Sequence, residues 1–197
     1  MTVRPVPALG VALALMAALG SAMQAQPKEF GSIRSLGRAL VEYNDGLTHA
    51  VAAYYHSQSS HDSVWLLIEV GVASPRSLTL RRDQVELVTP SGRVVPLATQ
   101  RRWGQDSTRA RTLLQQARTS RHQVRAYFRE INGAEALRFF TRPEEGGTVI
   151  DAVQTAPEQV LYGDLMFESP TGAWERGGYA LNLRHDQGTA SLPIDLK

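Results

Sequence analysis

From Val64 to Ala73 the chain alternates. Val64, Leu66, Ile68, Val70 and Val72 share one face, and Trp65, Leu67, Glu69, Gly71 and Ala73 share the other. A period of two with one wholly apolar face predicts a strand. The mixed second face places it centrally in a two-layer sandwich. Leu47 to His56, rich in Ala, Val and Tyr, is the predicted antiparallel neighbour, joined through residues 57–62. Ser77–Arg81, Gln84–Thr89 and Arg93–Ala98 follow as strands, with Pro90-Ser91-Gly92 closing the last two into a hairpin. Proline presets one dihedral of such a turn and glycine accepts a positive φ.

The C-terminal third repeats the rhythm. Ala136–Thr141, Thr148–Val153, Gln159–Glu168, Gly178–Arg184 and residues 190–196 are predicted strands, and Gln187-Gly188 is a turn. Pro193 lacks a ladder donor and marks an edge strand. About eight short strands at this spacing indicate a sandwich or barrel. One segment differs. Residues 107–131 contain no Gly or Pro and read as one amphipathic helix, started by Asp106 or Ser107 and stopped by Asn132-Gly133. At about 100° per residue, Leu113, Ala117, Val124, Tyr127, Phe128 and Ile131 form its apolar stripe. Arg111, Arg118, Arg121, His122, Arg125 and Arg129 form a basic one.

Residues 26–46 have little apolar periodicity and read as an extended leader or loose first strand, with a turn at Asn44-Asp45-Gly46. Residues 1–25 have the form of a secretion signal. Arg4 is the only charge before Lys28, an apolar run fills Val6–Leu19, and Gly20-Ser21-Ala22 supplies small residues for a cut after Ala22, or after Ala25. A retained membrane anchor is the alternative, since the uncharged stretch is long enough for the roughly 20 residues of a span, although it is rich in Ala and Gly and starts with Pro5 and Pro7. The expected location is periplasmic or secreted. There is no Cys, so a domain over 47–197 must hold together by packing, without disulfides or thiol chemistry.

The chain resembles the small secreted, immunoglobulin-like β-sandwich domains of unknown function found in bacterial envelopes. The likeness rests on Val64–Ala73, the hairpin Val85–Arg93 and the run Gly163-Asp164-Leu165-Met166-Phe167-Glu168-Ser169-Pro170, and covers roughly residues 47–197. It implies a mainly β, immunoglobulin-like antiparallel sandwich, from which the inserted helix 107–131 departs. It assigns no catalytic residue, because fold does not carry function with it.

Net charge is +2, which gives no global case for nucleic acid as a partner. The charge is local. Between residues 100 and 142 stand ten Arg against Asp106, Glu130 and Glu135. Guanidinium forks on one face suit phosphate or carboxylate. Arg111, Arg118, Arg121, Arg125 and Arg129 are therefore the candidate surface for an envelope protein partner or an anionic membrane surface. Arg outnumbers Lys nineteen to two along the whole chain, so a solvated face in an Arg-biased composition is the competing explanation. Trp174, in the loop Thr171–Gly177, is a candidate stacking residue.

His49, His56, His61 and Asp62 lie close in sequence, but strand parity puts His49 and His56 on opposite faces and no metal-ligand spacing is present. Nucleophile and phosphate-loop motifs are absent as well. Asp151 and Asp164 could meet across a sheet. No catalytic, cofactor or metal residue is assigned. The expectation is a non-enzymatic envelope interaction module acting through protein–protein contact; the alternatives are a binder of anionic envelope surfaces and an unrecognised hydrolase.

Overall fold

The long alternating run of the sequence becomes β4, Trp65–Ala73, a nine-residue strand of a computed structural model that describes residues 31–55, 57, 62–119, 124–141 and 150–197. The expected signal segment, residues 1–25, lies outside the described residues. Among the described residues no helix is long and apolar enough to cross a membrane. Among the described residues eleven strands build two sheets. They are β1 Ser32–Ser35, β2 Leu40–Asn44, β3 His49–Ala53, β4, β5 Leu78–Val88, β6 Val94–Pro96, β7 Gly133–Ala136, β8 Ala152–Thr155, β9 Gln159–Glu168, β10 Gly177–His185 and β11 Gly188–Leu196. One sheet runs β1-β2-β3-β4-β9-β7. The other runs β11-β10-β5-β6, with β8 also paired to β5.

The protein is mainly β, a two-sheet sandwich with a small helical layer, as the alternation predicts. Leu66, Ile68, Val70 and Val72 of β4 meet Leu80, Leu87, Leu181 and Leu183 of the opposing sheet, all fully buried. At about 25 cal/mol per Å² of apolar surface, this inter-sheet layer is what stabilises a chain without disulfides. The hairpin β5–β6 turns at Pro90-Ser91-Gly92, where Gly92 takes a φ of 80°. Pro193 lies in β11, which forms an edge.

Several expectations are corrected. Of the two readings of residues 26–46, the extended leader gives way to strand: β1 and β2 pair antiparallel, and Leu40 and Val41 are buried. Ser77–Arg81 and Gln84–Thr89 merge into the single strand β5, which pairs β8 at one end and β6 at the other. The sandwich is not wholly antiparallel, because β7 joins β9 in parallel. β7 also ends at Ala136 and does not run to Thr141, although Leu137 and Phe139 still enter the core. Gly163 admits this crossing: a Cβ there would stand 2.6 Å from the Leu137 carbonyl oxygen.

The single helix 107–131 is corrected too. Helix begins earlier, as α1 over Gln100–Gln105, capped by the Thr99 side chain, which accepts from the Arg102 N–H. It resumes as α2 over Ser107–Thr119. Val124–Phe128 forms a separate 3-10 turn. The physical reason is that the apolar stripe has two seats on the sheet. Leu113 and Ala117 pack with Trp65, Leu67 and Met166, while Val124 and Phe128 pack with Val51, Ala73 and Val160. A straight α-helix keeps one line, and the polar residues Glu69 and Asp164, paired opposite one another on β4 and β9, lie between the seats in register.

Candidate functional site

All three helical pieces lie on the outer face of the six-stranded sheet, the mixed face of β4. At the α1–α2 end arginines act as fasteners. Arg102 sits 5.2 Å over the Trp65 ring and its Nε donates to Glu168 at 2.7 Å. Arg109 Nε donates to Asp62 at 2.7 Å, and Trp65 Nε1 donates to Asp106 at 2.7 Å. Asp62 also accepts from the Val64 and Trp65 N–H groups at the start of β4. Burial pushes the Asp62 carboxyl up, but the Arg109 and backbone donors outweigh it and hold the pKa below the usual carboxylate value. Arg82, part-buried on β5, donates to Ala98 O and Asp151 and stacks on Phe139 and Phe140 at 5.3 and 5.0 Å.

The 3-10 end is built differently. Gly71 has no side chain where Phe128 sits; a Cβ would come 2.5 Å from the Phe128 ring and 2.8 Å from Val124. Phe128 also meets His49 of β3, ring centroids 4.6 Å apart. His49 Nε2 lies 2.8 Å from Glu42, and Glu42 also receives Arg34. On this base the turn presents two shallow clefts that share Arg129. One, about 360 Å³, is lined by Arg125, Arg129, Ile131 and Asn132. The other, about 400 Å³, is lined by His49, Tyr127, Arg129 and Glu130. Arg125 and Arg129 are exposed and form no ion pair with a described residue; Arg125 lies 6.0 Å from the Tyr162 ring.

The expected basic stripe is therefore divided. Arg125 and Arg129 come together at one cleft. Arg111 and Arg118 are exposed on α2 and line neither cleft, and Arg111 Nε donates back to Ser107 O at 3.3 Å. Arg121 lies outside the described residues. Trp174 is not a stacking platform: it is 8% exposed, belongs to the inter-sheet core and packs edge-on to Tyr179 at 6.2 Å. Burial, with the nearby Glu175, pushes the Tyr179 hydroxyl up to about 12.

Asp164 does not meet Asp151. It faces Glu69 across β4–β9, whereas Asp151 receives Arg82. His56 and His61 lie outside the described residues. Among those described, no three His, Asp or Glu side chains converge as a metal set would. Sequence reasoning missed Asn132 and the seat under Phe128. A glycine inside the best strand of the chain was the available signal, because such a glycine marks a close approach.

Comparison with protein families, with curated proteins and with solved structures finds no match to this chain.

Proposed function

We propose that the protein is an exported, non-enzymatic interaction module of the cell envelope that binds an acidic segment of a protein partner at the 3-10 turn. One observation supports this reading most: Arg125 and Arg129 stand exposed around one cleft with no acid among its described lining residues, while Arg82, Arg102 and Arg109 are committed inside the domain. Guanidinium groups without a carboxylate among the described residues, with Asn132 lining the same cleft, offer forked donors to one from outside.

A protein surface fits better than a membrane plane. Glu130 lines the second cleft and would repel anionic headgroups, whereas a protein of mixed charge can complement it. The large exposed apolar residues of the described chain, Ile33, Leu47 and Val94, lie outside both clefts, so no wedge for lipid accompanies the arginines.

The test is a photocrosslinking amino acid at Ala126, which lines both clefts, with Thr189 on β11 as control position. In the producing cell, discrete protein adducts are expected at 126 and not at 189, and adducts formed in vitro should fade as salt rises. Lipid adducts at 126, or equal protein labelling at both positions, would overturn the reading.

A further inference from the structure

His185 ends β10 and is only 7% exposed. Both of its ring nitrogens are used. Nδ1 accepts the Gln187 N–H at 3.2 Å, so the ring proton of the neutral form sits on Nε2. Nε2 then donates to Thr48 Oγ1 at 3.2 Å. Thr48 is itself buried, and its N–H is held by Asp45 Oδ1 at 2.6 Å. Thr48 lies in the turn between β2 and β3, and Gln187 in the turn between β10 and β11, so the ring bridges the two sheets at one end of the sandwich.

We infer that His185 is an acid-sensitive latch between these two turns. Only the neutral, Nε2-protonated ring satisfies both partners. A second proton, on Nδ1, would face the Gln187 N–H donor to donor. The charged groups facing the ring are Asp45 and Asp186, and both favour the imidazolium; burial opposes them and prevails, leaving the pKa below the ordinary 6.5. Neither carboxylate is idle: Asp45 accepts from the Leu47 and Thr48 N–H groups and from Tyr43 Oη, and Asp186 accepts from the Thr79 N–H. A charged His185 thus leaves its slot for water and the rim carboxylates, and releases Thr48 and Gln187 together. The sign follows from linkage. The unfolded chain binds the proton more readily, so stability is complete above the ordinary histidine value and falls as pH drops below it.

Amide hydrogen exchange of the full chain at about pH 7.5 and about pH 5 tests this. After correction for intrinsic rates, protection of the Gln187 and Thr48 amides should fall about tenfold or more in acid, while the β4 amides keep theirs. The His185 ring proton shift, followed by NMR, should titrate over the same interval. His185→Asn keeps an acceptor near the Nδ1 position and cannot titrate, so its protection should not change with pH. Equal protection at both pH values in the wild type would overturn the latch. So would ring titration without loss of protection, or the wild-type loss persisting in His185→Asn. If that variant fails to fold, the two wild-type measurements decide.

Discussion

At α1 and α2 the arginines that reach the sheet are fastened, Arg102 between Trp65 and Glu168 and Arg109 to Asp62. Nine residues beyond α2, at the 3-10 turn, the sheet is instead gripped by Phe128 in the space above Gly71, and Arg125 and Arg129 are left to solvent. The two regions share a composition and a supporting sheet, yet their arginines do different work. Where the helical layer has Trp65, Glu168 and Asp62 to receive its arginines, charge can serve cohesion. Where an aromatic plug supplies the cohesion, charge is available for a partner.

The largest expected effect is at the fastened end. Trp65→Ala removes the ring under Arg102 and the donor to Asp106, and should cost about 3–5 kcal/mol in denaturant unfolding. Gly71→Ala attacks the other end. The added methyl must displace Phe128 and Val124, at about 1–3 kcal/mol, and should also abolish crosslinking at 126 by moving the turn. A stable Gly71→Ala protein with unchanged adducts would break the comparison.

Asp62→Ala should cost about 1–2 kcal/mol at neutral pH, reduced by screening at a part-exposed site. Because the folded pKa of Asp62 lies below the ordinary 3.8, its contribution is present above that value and is lost as pH falls through the folded one. The gap between wild type and variant, read from urea midpoints, should therefore close in strong acid. The smallest effect on stability belongs to Arg125→Gln with Arg129→Gln, within about 0.5 kcal/mol, as for surface positions without partners.

The strands of the sandwich were legible because alternation is a local signal. Gln159–Glu168 stands as the pattern predicts, and β4 differs from its run by one residue. The helical layer was less legible for two reasons. Gly104 weakens the helical signal over α1, at about 1 kcal/mol relative to Ala, and a tertiary seat on Gly71 decides where Phe128 goes. Residues 32–44 lacked periodicity because β1 is exposed at all four positions, an edge without an inner face. At the candidate site the residue types Arg125 and Arg129 could be read, but not which arginines are consumed by Glu168, Asp62 and Asp151, since those pairings span 66, 47 and 69 residues.

The division of labour among the arginines is tested most directly by one side-by-side measurement on Arg102→Gln and on the double variant Arg125→Gln, Arg129→Gln: the melting temperature, and the yield of protein adducts from a crosslinker at Ala126. The expected result is a lowered Tm with adducts retained for Arg102→Gln, and an unchanged Tm with adducts lost for the double variant. Adducts that survive in the double variant, or that disappear only as Tm falls, would contradict it.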